Sequence, residues 1–255
     1  MTLQEHIYKL LVNHKEQRAF STYFQNQKIW IKLPDYGEKN IWHKVLNLFF
    51  WLSKNPLLAP TVVTNPKKSL HNEAKKLIYL KSQGINVPEV LLQSDDFLAL
   101  SDCGTPLSLL LYQDNISSEE KKHILKLLSL QLASMHNLGI YHSRPALRDI
   151  TYSDSKIYFL DFEENLEGIL DTNQAIIRDA LIYIHSIYRK VEHKELVDIA
   201  LQNYIKNLDK NILNSIQIES TKYTFIHWIL AKLHRFLGKD AKAILQTFEF
   251  IKKTL

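Results

Sequence analysis

The sequence contains little glycine, a single cysteine and no long apolar run. Six of its 255 residues are glycine, and Cys103 is the one cysteine. A lone cysteine excludes an intramolecular disulfide framework and is typical of a reducing cytoplasm. Because no stretch of about 18 apolar residues occurs, we expect no membrane-spanning helix. The N-terminal residues carry charges within their apolar part and lack a small-residue cleavage site, so we expect no signal peptide.

Common signatures of other catalytic classes are also missing. The sequence has no paired-cysteine zinc motif, no His-Glu-x-x-His, no Gly-x-Ser-x-Gly elbow and no Gly-x-x-x-x-Gly-Lys-Ser/Thr loop. The formal net charge of +5 is compatible with an anionic partner such as a nucleotide or a lipid headgroup. Basic residues are scattered and do not cluster with aromatic residues, so the sequence does not favour nucleic-acid binding.

The hydrophobic content of 45% and the charged content of 23% are typical of a globular protein with a sizeable core. At this length we expect one two-lobed domain or two small domains. Ser117 and Glu120 form a predicted capping box at the start of a helix that ends near Gly139. Short apolar runs predict strands at residues 20–24, 28–33, 89–93 and 97–101. Helical spacing of apolar residues predicts further helices at residues 3–13, 69–83, 173–190, 193–207, 221–237 and 240–254.

The most informative segment comprises residues 136–164. The end of a helix is followed by the polar, charged loop 142–149. A short apolar run rich in strand formers, residues 156–160, comes next and ends at Asp161-Phe162-Glu163. The segment therefore predicts a loop, a short hairpin and a second loop that carries an exposed acid.

This arrangement resembles the catalytic core of the protein-kinase-like superfamily, nearest to its small bacterial lipopolysaccharide-kinase and RIO-like branches. In that family a His-x-Asp loop, a metal-binding Asn, a β-hairpin and an Asp-Phe-Gly motif follow one another. The resemblance assigns Asp161 and Asp149 as Mg²⁺ ligands and His142 as the loop histidine. It implies an α+β, two-lobed protein-kinase-like fold. A small antiparallel β lobe with a regulatory helix would span residues 1–101, and a larger, mainly α lobe would span residues 102–255.

The loop departs from the family pattern at Arg144. Five residues before Asp149, Arg144 stands where the family has its catalytic Asp. An alternative register takes Leu147-Arg148-Asp149 as the His-Arg-Asp triplet and Asp154 as the Asn. That register leaves only seven positions to Asp161, which is short for a hairpin. We favour the first register, in which the usual base is missing.

The resemblance extends into the N-terminal part of the chain. Lys32, on an apolar strand, resembles the kinase lysine that contacts the α- and β-phosphates, and Glu73, on the next long helix, resembles the glutamate that pairs with it. Asp102-Cys103-Gly104 resembles the hinge, whose backbone hydrogen-bonds adenine. Another interpretation stays open, since a lysine or glutamate is usually solvated and a lone cysteine is usually a buried hydrophobe. The family's glycine-rich phosphate loop is missing before Lys28, because the first glycine is Gly37.

Two further segments have alternative interpretations. Arg178-Asp179 resembles the helical acid that anchors the catalytic loop, and a surface salt bridge is the alternative. Residues 41–58 are unusually aromatic. They predict either a helix buried in the smaller lobe or an amphipathic patch on the inner membrane near a lipid substrate.

The resemblance implies an ATP- and Mg²⁺-dependent phosphotransferase that acts on a lipopolysaccharide core sugar or another small hydroxyl substrate. Lys32 would hold the phosphates, Glu73 would position Lys32, and Arg144 would stabilise the charge on the transferred group. We expect such a protein in the cytoplasm or at the inner face of the membrane. The alternatives are a pseudokinase, which is a nucleotide-binding or regulatory module, and an enzyme that transfers AMP.

Overall fold

The computed structural model describes residues 1–14, 17–35, 65–164, 166, 168–221 and 238–254. The chain divides into two compact units. The first unit comprises Met1–Gly104 and Tyr158–Leu166, and the second comprises Thr105–Ile157 and Glu167–Leu255. The aromatic segment 41–58 lies outside the described residues, as does nearly all of the helix predicted at 221–237.

An antiparallel sheet forms the centre of the first unit. Its described strands are β1 (Ala19–Phe24), β2 (Gln27–Lys32), β3 (Val90–Gln93) and β4 (Leu98–Ser101), in the order β1-β2-β4-β3. The turn between β1 and β2 is only two residues long. Gln25 and Asn26 both have positive φ, as the mirror-image turns of tight hairpins require. The pairing then continues without a break to Ala19 opposite Lys32.

The alternating pattern of β2 decides which face of the sheet Lys32 occupies. Ile29 and Ile31 are buried in a core with Ile7 of the N-terminal helix α1 (Leu3–Leu11). Because successive side chains of a strand point to opposite faces, Trp30 and Lys32 lie on the other face. The apolar core thus fixes the direction of the lysine side chain.

Helix α2 (Pro66–Ser82) is the long helix of the first unit. Its N-terminus is capped by the side chain of Asn65, which accepts from the amide of Lys68 at 3.1 Å. One face of the helix is buried at helical spacing, and this face consists of Leu70, Glu73, Ala74, Leu77 and Leu80. Glu73 is therefore a charged residue within an apolar stripe. Gly84, with φ of +77°, follows the end of the helix.

The second unit is mainly helical. Its described helices are α3 (Leu107–Leu110), α4 (Ser118–Asn137), α5 (Thr172–Lys190), α6 (Lys194–Asn207), α7 (Lys210–Thr221) and α8 (Lys239–Thr254). Ser117 caps α4 by accepting from the amide of Glu120 at 3.1 Å, which is one of the two hydrogen bonds of the predicted capping box. The Ser129 hydroxyl lies 2.9 Å from the Tyr183 hydroxyl and 2.8 Å from the carbonyl of Ala200, which links α4, α5 and α6 inside the core.

A small sheet of order β5-β6-β7 completes the architecture. Its strands are β5 (Thr105–Pro106), β6 (Ile150–Ser153) and β7 (Lys156–Phe159). Strand β7 begins in the second unit, and the chain returns to the first unit at Tyr158. A small antiparallel sheet with one long helix, together with a larger helical part, confirms the predicted α+β class. Among the described helices, none is long and apolar enough to cross a membrane.

Candidate functional site

Lys32 is the centre of a buried ion-pair cluster in the first unit. Its Nζ donates to both carboxylate oxygens of Glu73, at 2.8 and 2.7 Å, and to Oδ1 of Asp161 at 2.9 Å. The Lys32 side chain is 13% exposed, and that of Glu73 is completely buried. The structure therefore brings together three residues that the sequence placed on a strand, a helix and a loop.

Three elements of the first unit position these side chains. The end of β2 carries Lys32, and the buried stripe of α2 carries Glu73. Asp161 is the second residue after the end of β7, and Phe162 follows it. The amide of Phe162 donates to Oε1 of Glu73 at 3.2 Å, and its ring is buried. Asp161 has a φ of +64°, a left-handed conformation that aspartate tolerates better than most residues. A strained backbone held by its surroundings in this way is common at functional sites.

The electrostatics of the cluster keep the lysine protonated. Burial on its own would lower the pKa of Lys32, but the negative charges and hydrogen bonds of Glu73 and Asp161 outweigh burial, so the pKa is raised. The ammonium group is consequently a fixed positive charge beside an accessible carboxylate, since the Asp161 side chain is 18% exposed.

Arg18 and Glu163 extend this cluster, and neither residue was predicted from the sequence as part of the site. Arg18 forms an ion pair with Glu163, and its guanidinium lies 3.7 Å from Asp161 and 3.5 Å from Asp35. Lys32 Nζ is also 3.7 Å from Glu163. One signal for Glu163 was present, because it occupies the third position of Asp-Phe-Glu, where the family has glycine. Nothing local in the sequence marked Arg18.

The predicted hinge residues form an irregular polar segment directly after β4. Asp102 Oδ1 accepts from Trp30 Nε1 at 2.6 Å and from Lys28 Nζ at 2.9 Å. Burial would raise the pKa of Asp102, but these two donors outweigh it and the pKa is lowered. Asp102 Oδ2 also accepts from the amide of Gly104 at 3.3 Å. Cys103 is buried, and burial raises the pKa of its thiol to about 11.

The loop 142–149 is anchored within the second unit by Asp179 of α5. The two carboxylate oxygens of this fully buried residue accept from the amides of His142, at 2.5 Å, and Ser143, at 3.0 Å. His136 lies 3.4 Å from the same carboxylate. These contacts confirm that Asp179 is the acid that holds the loop. His142 is buried and accepts from the amide of Arg144 at its Nδ1, 3.2 Å away, so its ring supports the loop from within.

Arg144 and Arg148 both engage Asp149. Their Nε atoms lie 3.2 and 3.4 Å from Oδ2 of this mostly buried carboxylate. Arg144 thus pairs with the acid five residues later in the chain. The two guanidinium groups offset the negative charge of Asp149.

The carboxylates of the first unit fit a magnesium ion of the kind that nucleotides bring with them. Among the described residues, no group of three or more His, Cys, Asp or Glu side chains is arranged to hold a metal. Magnesium in phosphotransferases usually takes one or two protein carboxylates and completes its shell with phosphates and water. Asp161, a partly exposed oxygen donor, meets that requirement.

Comparison with known proteins finds one relative by sequence and several solved structures with related topology. The chain is 30% identical over 254 residues to an uncharacterized protein of Haemophilus influenzae (strain Rd), and the match covers 98% of this chain and 97% of that protein. No family model matches the sequence.

Two solved structures are similar in fold to this chain. The first is described as WaaP in complex with acyl carrier protein, with a TM-score of 0.46, 10% identity, and coverage of 86% of this chain and 85% of that one. The second is a complex of gentamicin with APH(2″)-IIa, with a TM-score of 0.43, 13% identity, and coverage of 100% and 98%.

Proposed function

We propose that this chain, which belongs to the same protein family as the uncharacterized Haemophilus influenzae protein, is an ATP- and Mg²⁺-dependent phosphotransferase of the protein-kinase-like type. The observation that carries the proposal is the pairing of Lys32 with Glu73 and Asp161. In kinases a strand lysine is held by a helical glutamate so that it contacts the nucleotide phosphates, and a nearby aspartate binds the metal.

The burial of this cluster supports a functional role over a purely structural one. Removing the charges of Lys32 and Glu73 from water costs several kcal/mol per ion, and well-packed apolar side chains often give equal or greater stability. Ionised groups in such an environment are therefore typical of functional sites. The left-handed backbone at Asp161 adds a second local cost at the same place.

The residues of the cluster have distinct roles in this proposal. Glu73 orients Lys32, whose ammonium binds phosphate oxygens, and Asp161 holds the metal. A bound Mg²⁺ supplies neutralisation of the phosphate charge. Phosphoryl transfer depends chiefly on positioning and electrostatic stabilisation, so the missing loop carboxylate does not by itself abolish the reaction.

The loop of the second unit provides the remaining candidates. We propose Asp149 as a second metal ligand and Arg144 as the group that stabilises charge on the phosphoryl group in transit. His142 and Asp179 hold the loop in shape. Asp102-Cys103-Gly104 would bind the adenine edge through the backbone. For the acceptor we propose a small hydroxyl compound, and a lipopolysaccharide core sugar is the case to test first.

Calorimetric titration of ATP, with and without Mg²⁺, tests the proposal. We expect Mg²⁺-dependent binding to the wild type and its loss in Asp161→Ala. Asp96→Ala is the matched control, because Asp96 is a half-exposed acid of the same unit that pairs with Lys67. If the wild type binds no ATP under either condition, the proposal is wrong.

A pseudokinase function is the second candidate, and the contacts of Arg144 and Arg148 with Asp149 favour it. ATP labelled at the γ- or the α-phosphate separates the three possible activities, with core oligosaccharide as the acceptor. Transfer of the γ-label indicates a kinase, and transfer of the α-label indicates an AMP transferase. Binding without transfer or hydrolysis of either label, unchanged in Arg144→Gln, indicates a nucleotide-binding module.

A further inference from the structure

We propose that Arg18, the residue before β1, is a phosphate-binding residue that supplies a phosphate contact where the glycine-rich loop is missing. This inference rests on the proposed function, because the phosphates concerned are those of the bound nucleotide. It concerns a residue that the resemblance does not assign.

The β1–β2 turn lies far from Lys32. Residues 25–26 form this turn at one end of the hairpin, and Lys32 stands at the other end, opposite Ala19. The six residues from Gln27 to Lys32 make five steps along an extended strand, which span about 16 Å. Backbone amides of the turn are therefore too distant to hold phosphates that contact Lys32.

Arg18 lies at the same end of the hairpin as Lys32. It immediately precedes Ala19, and its carbonyl accepts from the amide of Leu33 at 2.8 Å, which extends the pairing one step beyond Lys32. The backbone of Arg18 is thus fixed at the lysine end of the hairpin.

The Arg18 side chain is suited to bind anionic oxygens. Arg18 is 44% exposed, and its guanidinium is directed at the carboxylates of Asp161 and Glu163. A guanidinium offers a planar fork of donors that matches carboxylate and phosphate oxygens equally well. A group that already pairs with anions beside Lys32 is suited to bind the β- and γ-phosphates there.

Glu163 and the phosphates of a bound nucleotide would compete for Arg18. Glu163 replaces the usual glycine of the family motif and forms an ion pair with Arg18. Its carboxylate also lies 3.7 Å from Lys32 Nζ. The phosphate oxygens of a bound nucleotide would replace the Glu163 carboxylate as the partner of Arg18. Loss of the Arg18 charge should therefore weaken nucleotide binding, whereas loss of the Glu163 charge should strengthen it.

The test measures dissociation constants of AMP, ADP and ATP, in the presence of Mg²⁺, for the wild type and four variants. Arg18→Gln should bind ATP about tenfold more weakly than the wild type and bind AMP within about twofold of it, since a charge-assisted phosphate contact is lost. Arg18→Lys should be intermediate, because it keeps the charge and loses the fork. Glu163→Gln should bind ATP more tightly. Lys81→Gln removes an exposed charge of the same unit, paired with Glu89, and should match the wild type.

The results distinguish failure of the proposed function from failure of the inference about Arg18. Failure of the wild type to bind ATP overturns the proposed function and this inference together. ATP binding that is equal in the wild type and Arg18→Gln overturns the inference about Arg18 alone. Equal weakening in Arg18→Gln and Glu163→Gln also overturns it, because Arg18 would then act only by pairing with Glu163. Thermal unfolding of each variant confirms that the measured protein is folded.

Discussion

Glu73 accepts hydrogen bonds from Lys32 through both of its carboxylate oxygens while its own side chain has no exposure to solvent. The pair joins the last residue of β2 to the middle of α2. Since an unpaired buried charge is far more costly than a buried pair, the stability of the first unit depends on both partners.

We therefore predict that Glu73→Gln lowers the free energy of unfolding by about 3 kcal/mol, because it leaves the Lys32 ammonium with less compensation. Glu89→Gln is the control, since Glu89 is an exposed residue that pairs with Lys81 at 3.3 Å. Its effect should stay within about 0.5 kcal/mol. Chemical denaturation of both variants measures the difference, and equal stabilities would contradict the prediction.

The raised pKa of Lys32 predicts a specific loss of stability in alkali. A group whose pKa is higher in the folded protein contributes stability below its unfolded pKa, and that contribution disappears as the pH rises through the folded pKa. For Lys32 the loss begins above its ordinary value of 10.5. As the pH rises above 10.5, the wild type should lose more free energy of unfolding than Lys32→Met does. Parallel curves for the two proteins would contradict the assignment.

Cys103 should be almost inert to alkylation at neutral pH. Burial raises the pKa of its thiol to about 11, so little of the reactive thiolate is present near pH 7. The rate of iodoacetamide modification should rise with pH until about 11, and every adduct reports this site because the chain has one cysteine. If Asp102-Cys103-Gly104 binds adenine, saturating ATP should slow the reaction further. Rapid labelling at neutral pH would contradict the buried environment.

The anchoring of the loop by Asp179 predicts a local and a global effect of its removal. Asp179→Ala leaves the amides of His142 and Ser143 without their buried acceptor, which should cost about 3 kcal/mol of unfolding free energy. Hydrogen exchange should accelerate at these two amides. Asp198→Ala removes an acid of α6 that pairs with Lys194 at the surface and should change neither quantity. Unchanged exchange in Asp179→Ala would show that the loop is held by other contacts.

Several parts of the fold were predictable because their signals are local. The alternation of β2 and the apolar stripe of α2 placed Lys32 and Glu73 on their elements, and the capping residue Ser117 marked the start of α4. Helix α7 was not predicted, because Ile216 is its one buried residue and the apolar stripe is correspondingly weak.

The composition of the ion-pair cluster was only partly predictable. Family resemblance supplied the partners of Lys32, but Arg18 and Glu163 are 145 positions apart in the chain and have no shared pattern. Their pairing depends on how the segment before β1 and the segment after β7 are brought together in three dimensions. The left-handed backbone at Asp161 is likewise a tertiary property, because the surrounding contacts impose it.

The order in which the chain visits its two units limits how this protein can be divided. The chain leaves the first unit after Gly104, returns at Tyr158 and leaves again after Leu166. A gene fragment that ends at residue 104 therefore encodes Lys32 and Glu73 but omits Asp161. Neither unit is one uninterrupted piece of the chain, so a fragment that carries the complete ion-pair cluster must also carry residues 105–157 of the second unit.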